Sequence, residues 1–223
     1  MTNFYRFSLS AMVFPIIIGN LCAEGAGAPA TAPSGDSHHE LIVSLRDQKL
    51  LLLEDGKPDG IFSVSTSRFG VGDRWGSFAT PLGKLLVRMK IGMGKPLGTV
   101  FHSRVPTGEV LKPNSPGRDP IVTRILWLDG TEPGNRNAFA RGIYIHGTPQ
   151  EKLLGRPASY GCIRMRSADV ATLCDRVGVG AVVHIIPEHL PIRRSFLQEI
   201  LNSDGFVAAD AGAPQGAGQQ QAE

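Results

Sequence analysis

The sequence predicts a mainly β domain, a sandwich or barrel with one or two short helices. Short runs rich in apolar and β-branched residues recur along residues 39–203. Connections rich in turn residues separate them, and the chain carries 27 Gly and 16 Pro to build such turns. Only two segments keep helical spacing. Together these features favour a sheet closed or packed on itself.

The first segment, residues 1–23, reads as a signal peptide. Arg6 supplies a positive start, residues 9–21 are mostly apolar, and Ala23 is a small residue before Glu24. Pro15 and Asn20 interrupt the apolar stretch, which is short for a membrane span. Leu21 precedes Cys22 where an acylated cysteine ordinarily follows a small residue, which argues against a lipoprotein. The expected location is therefore the periplasm or cell envelope. Residues 24–38 are rich in Ala, Gly, Pro and Ser and read as a flexible linker. Residues 204–223 end in a Gln run and read as a disordered tail.

Within residues 39–203, strands are expected at 41–45, 49–54 and 61–65, with 55–60 as a turn. Further strands are expected at 84–90, 121–127, 143–146 and 181–186. A helix should open near Ser167, carry Asp169 in its first turn and stop at Gly178. Val170, Leu173, Cys174 and Val177 recur at helical spacing and form its apolar face. A second helix is expected at 192–202, around Phe196, Leu197, Ile200 and Leu201.

The net charge is +3 and the charges are scattered. No basic stripe marks a nucleic-acid partner. No H-E-x-x-H or other tight ligand pair marks a metal site, and His38, His39, His102, His184 and His189 are scattered. The glycines of residues 70–72 and 92–94 lack a phosphate-loop ending and read as loop glycines.

Cys162 and Cys174 lie beyond the signal segment. One reading joins them as a disulfide. The helical pattern opposes it, because Cys174 falls on the apolar face and Cys162 falls outside the pattern. The segment around Cys162 carries chemistry instead. His146 closes an apolar run, followed by Gly147 and Thr148, and Cys162 follows sixteen positions after His146. A cysteine nucleophile needs a base or positive charge to draw off its proton, and an imidazole is suited to it. Gly147 lets the backbone turn or approach a substrate, and Gly161 gives the same freedom before the cysteine. Backbone N–H groups around Gly161 and Cys162 are candidate oxyanion donors.

The local context is more specific than the spacing. His146-Gly147-Thr148 followed by Ser159-Tyr160-Gly161-Cys162-Ile163-Arg164-Met165 resembles the active-site signature of the L,D-transpeptidase catalytic domain (YkuD type). Thr80-Pro81-Leu82-Gly83 is similar to the family's T-P-x-G segment, so the resemblance spans roughly residues 41–186. Many members carry His where this chain has Tyr160. The resemblance implies an L,D-transpeptidase-type β-sandwich and a cysteine acyltransferase that needs no metal or organic cofactor. It implies that Cys162 attacks the bond between a diamino acid and D-alanine in a peptidoglycan stem peptide. D-alanine leaves, a thioester forms, and an amine resolves it, with His146 moving the protons. It also implies acylation by carbapenems. A backbone carbonyl near Gly147 or Thr148 is the expected orienting group for His146, since no Asp or Glu adjoins the motif.

Other residues complete the candidate site. Arg164 either holds a substrate carboxylate or braces its loop by bonding carbonyls. Ser159 is expected to bond its own loop or to touch substrate, while Tyr160, Thr148 and Tyr144 are expected along the cleft. Arg141 and Gly142 are expected as turn residues. The acceptor stays open between a second stem peptide, water, a D-amino acid and a wall-anchored protein, and so does the oligomeric state. A carboxypeptidase on the same site, a sortase-like anchoring enzyme and an inert wall-binding module are the competing readings. A sortase would separate His and Cys more widely, and a papain-like enzyme would reverse their order.

Overall fold

The computed structural model describes residues 35–191. The expected signal segment, the tail and the helix at 192–202 lie outside the described residues, as does the linker up to residue 34. The described chain forms ten strands and two short helices. β1 (His39–Ser44), β2 (Lys49–Glu54) and β3 (Lys57–Ser65) form an antiparallel meander. β4 (Gly83–Ile91), β5 (Thr99–His102), β6 (Val105–Val110) and β7 (Ile121–Gly130) follow. Then come α1 (Ala138–Arg141), β8 (Tyr144–Gly147), a 3-10 turn at Glu151–Leu153 and β9 (Ile163–Met165). α2 (Ser167–Arg176) and β10 (Val182–Ile186) complete the domain.

The expected mainly β packing takes the form of a closed sheet. Its order is β4-β10-β1-β2-β3-β9-β8-β7, and β7 pairs back onto β4. The β5–β6 hairpin extends from β7 outside this ring. Closure removes the exposed edges that an open sheet would leave. Leu41, Val43, Leu50, Leu52, Leu126 and Ile145 fill the inside. α2 adds Val170, Leu173 and Cys174 to the same core, followed by Val177. Cys174 is fully buried there, and both cysteines are free, so the disulfide reading is excluded.

Several boundaries differ from expectation for local reasons. The turn expected at 55–60 is confined to Asp55 and Gly56, whose φ values of 49° and 74° suit a two-residue hairpin. Lys57 to Gly60 belong to β3, and a bulge opposite Leu52 and Leu53 absorbs their irregularity. Ser167 does not cap α2 through its side chain. Its own N–H is held by Glu151 Oε1 at 2.9 Å, so the 3-10 turn supplies the capping carboxylate. Gly178 does not stop α2 in a left-handed conformation either. The chain turns extended at Val177, and the Gly178 N–H donates to Asp36 Oδ2 at 2.6 Å.

Asp36 also corrects the linker boundary. Its Oδ1 accepts the N–H groups of His38 and His39 at 3.0 and 3.1 Å. Its backbone N–H donates to Val179 O at 2.8 Å. Residues 35–38 are thus fastened to the loop before β10 and do not belong to the linker. Burial alone would raise the Asp36 pKa. The bonds from Gly178 and His39 outweigh it and hold the carboxyl below its ordinary value of 3.8.

Asp36→Ala should cost about 1–3 kcal/mol of folding stability at neutral pH. The stabilisation is present above the unfolded-state pKa of 3.8 and is lost as pH falls through the lower folded value. Thermal unfolding of both proteins across acid pH should therefore show the gap closing. A gap that is constant with pH would contradict the carboxylate clamp.

Candidate active site

The site is built by the parallel pairing of β8 with β9. Ile145 pairs with Ile163, His146 with Arg164, and Gly147 with Met165. Side chains alternate across a sheet, and paired residues share a face. Ile145, Ile163 and Met165 point into the core. Tyr144, His146 and Arg164 therefore take the other face. Cys162 immediately precedes β9 and packs against a second cluster formed by Phe101, Ile125 and Tyr144. Its side chain thus packs on the cluster that includes Tyr144, and Tyr144 shares a face of β8 with His146.

Gly147 is needed for close approach rather than for a turn. A Cβ there would stand 2.7 Å from Val122 O on β7. The neighbouring Thr123 holds a φ of 70° within a bulge of β7, an uncommon conformation for a β-branched residue. Its Oγ1 donates to Ser167 Oγ at 2.8 Å, which ties the bulge to α2.

His146 is 6% exposed. Its Nδ1–H donates to Gly147 O at 2.8 Å, so the carbonyl expected from the resemblance is present. That bond leaves Nε2 as the basic nitrogen. Burial lowers the imidazole pKa to about 4. The Gly147 bond and Asp119 act upward, and the Arg164 charge acts downward. Cys162 is half-buried, and its thiol donates to Gly142 O at 3.3 Å. Burial pushes the thiol pKa up to about 11, against the Tyr144 backbone and the charges of Arg164 and Arg141. At neutral pH the two groups rest as uncharged thiol and uncharged imidazole.

The remaining candidates divide between braces and surface. Arg164 Nη2 donates to Ala158 O at 2.8 Å, and Nη1 lies 2.5 Å from Asp119 Oδ2 as an ion pair. Of its two expected roles the structure displays the brace. Thr148 is fully buried, and its Oγ1 donates to Asp119 Oδ1 at 2.6 Å. It does not line the cleft. Ser159 Oγ donates to Cys162 O at 2.6 Å and accepts the Gly161 N–H at 3.2 Å. That engages the Gly161 N–H within the loop and removes it from the expected oxyanion donors. Gly161 itself has a φ of 119°. Tyr144 is buried, and Tyr160 is 54% exposed among Phe69 and Phe78.

Asp119 escaped the sequence reading, and Thr80 and Arg141 were named there without the roles they take. Asp119 lies far from the motif in the chain and has no pattern around it. Thr80 Oγ1 donates to Gly161 O at 3.0 Å, which explains the T-P-x-G segment as an anchor for the cysteine loop. Arg141 is more than a turn residue. It pairs with Asp73 at 3.0 Å and donates to Gly72 O and Ala79 O, fixing the loop beside Gly161. Gly142 is the left-handed residue ending α1, as expected of a turn.

Asp119→Asn should leave Arg164 buried beside Ala158 with an uncompensated charge, costing about 3 kcal/mol. The double variant Asp119→Leu with Arg164→Met should lose less stability than Asp119→Asn alone. Chemical denaturation of the variants measures both. Simple addition of the single losses would contradict the pairing.

The comparisons with known proteins concern this same region. Residues 38–185 match the family model described as the L,D-transpeptidase catalytic domain (YkuD). The YqjB protein of Bacillus subtilis (strain 168) is 27% identical over 150 residues, which covers 67% of this chain and 72% of that protein. An L,D-transpeptidase from Mycobacterium tuberculosis H37Rv aligns in structure at 19% identity with a TM-score of 0.45, covering 67% of this chain and 57% of that one. L,D-transpeptidase 3 from Mycobacterium tuberculosis, in complex with a faropenem-derived adduct, aligns at 18% identity and a TM-score of 0.45, covering 66% and 60%. The chain thus spans under two thirds of these two solved structures. The family match over most of the described domain makes the chain a member of the L,D-transpeptidase catalytic domain family.

Proposed function

We propose that the protein is an exported peptidoglycan L,D-transpeptidase that works through a Cys162 thioester. The observation that supports this reading is Cys162 packed on the cluster of Tyr144, which lies two residues before His146 on β8, with the His146 Nδ1 held by Gly147 O. Cys162 Sγ attacks the carbonyl of the bond between the diamino acid and D-alanine. His146 Nε2 takes the thiol proton as the sulfur–carbon bond forms. The carbon–nitrogen bond then breaks, and His146 returns the proton to the departing D-alanine amine. An acceptor amine attacks the thioester, gives its proton to Nε2 and expels Cys162, which recovers that proton. Water in place of the amine turns the same sequence into carboxypeptidase action.

With both groups uncharged at rest, the proton leaves sulfur as the sulfur–carbon bond forms rather than beforehand. A preformed thiolate would have to be charged in surroundings that push its pKa to about 11. An uncharged imidazole is ready to accept a proton throughout the neutral range.

Mass spectrometry of muropeptides incubated with the protein tests the reading. The expected product is a dimer that has gained one stem and lost D-alanine. Cys162→Ala should abolish it, and His146→Ala should slow it by about 10²–10⁴-fold. Loss of D-alanine without a dimer would assign water as the acceptor. Equal product from wild type and Cys162→Ala would overturn the thioester mechanism.

A further inference from the structure

Four arginines stand next to residues of the site, and two of them are already neutralised. Arg141 is paired with Asp73, and Arg164 with Asp119. Arg68 and Arg104 have no ion-pair partner among the described residues. Arg68 lies over the Tyr160 ring at 4.5 Å. Arg104 is the one bonded to Tyr144, whose cluster Cys162 packs against.

Arg104 is at the tip of the β5–β6 hairpin. Ser103 and Arg104 have φ values of 48° and 70°, a turn that Asn and Gly adopt more easily. The guanidinium lies 4.5 Å above the Trp127 ring, and Nη1 donates to Tyr144 Oη at 3.2 Å. Both aromatic residues are themselves fixed. Trp127 stacks on Phe139 at 4.1 Å and donates its Nε1–H to Phe139 O at 2.9 Å. Tyr144 is buried and meets Trp127 edge-on at 5.5 Å. An exposed arginine is ordinarily mobile, and this one is oriented by a rigid aromatic floor.

The floor leads to the sulfur. A Cβ added at Gly142 would stand 3.0 Å from Tyr144 Oη, so the hydroxyl rests against that glycine. The carbonyl of the same Gly142 accepts the Cys162 thiol. Tyr144 and Gly142 thus form a chain of contacts from the guanidinium to Cys162 Sγ. A guanidinium has five N–H donors, and only one of Arg104's is engaged within the described residues. The free donors form a planar fork that suits a carboxylate.

We infer that Arg104 binds a carboxylate of the peptide whose carbonyl Cys162 attacks, and so favours anionic acyl donors over neutral ones. The identity of that peptide rests on the transpeptidase reading. In that reaction the departing D-alanine carries a free carboxylate a few bonds from the scissile carbonyl. Arg164 is engaged by Asp119, which leaves Arg104 to recognise that carboxylate.

Two alkylating reagents test the inference without any peptide. Iodoacetate and iodoacetamide both transfer their methylene carbon to Cys162 with loss of iodide, and only iodoacetate carries a carboxylate. The Cys162 alkylation rates are measured for wild type, Arg104→Gln and Arg68→Gln, with Cys162→Ala as the blank for Cys174. Arg104→Gln should lower the ratio of the iodoacetate to the iodoacetamide rate by about fivefold, an effect of the lost charge at short range. The neutral reagent also reports whether the variant is folded, since its rate should not change. An unchanged ratio, or a fall seen with Arg68→Gln instead, would overturn the assignment. A second arm compares a stem tetrapeptide ending in a free carboxylate with its amide. Arg104→Gln should raise KM for the acid by about tenfold and leave the amide unaffected. If wild type turns over neither peptide, the transpeptidase reading fails, and the reagent ratio still decides the role of Arg104.

Discussion

The pairing of β8 with β9 is the contact on which the site depends. It is parallel, and parallel neighbours cannot be joined by a tight turn. They need a crossover of about a dozen residues or more. Residues 148–162 provide it, which gives a physical reason for the sixteen positions between His146 and Cys162. The register matters as much as the pairing. A slip of one residue on β8 would turn His146 into the core and Ile145 outward. Ile145, Ile163 and Met165 oppose such a slip because each is fully buried against the core. The packing inside the sheet thus aligns the chemistry outside it.

The loops around this seam are irregular and lack a sheet partner for many backbone groups. Buried arginines satisfy some of them. Arg141 draws Gly72 and Ala79 together from the loop beside Gly161, and Arg164 holds Ala158 before the cysteine. Each carries a carboxylate partner, Asp73 or Asp119, because an unpaired charge at that depth would be costly. The braces come with a consequence for the chemistry. Both arginine charges act to lower the Cys162 pKa, but burial is the larger effect and keeps the thiol protonated. The same low-polarity surroundings keep His146 uncharged, with Nε2 the nitrogen left to accept a proton.

The strands that form the core were legible in the chain, because a buried face imposes a pattern. β2 matches its expected bounds, and β4, β7, β8 and β10 differ by a few residues at most. The β5–β6 hairpin was not legible. It lies outside the closed ring, and every side chain of β6 is at least partly exposed, so no apolar alternation marks it. β9 has only three residues and was hidden inside the cysteine motif. The capping of α2 by Glu151 and the clamp at Asp36 depend on partners distant in the chain. Within the site, His146 and Cys162 were found through their motif, and the Gly147 carbonyl through the family resemblance. Asp119 and Arg104 were invisible because only the closed sheet and the hairpin bring them to β8 and β9.

The central claim is that an uncharged thiol and an uncharged imidazole, held in register, carry the reaction. Thiolate absorbance near 240 nm tests it most directly, titrated as the difference between wild type and Cys162→Ala. The account predicts no thiolate step at neutral pH and ionisation of Cys162 only as pH rises towards about 11. A step near or below neutral pH that disappears in His146→Ala would contradict it, since that is the behaviour of a preformed thiolate–imidazolium pair.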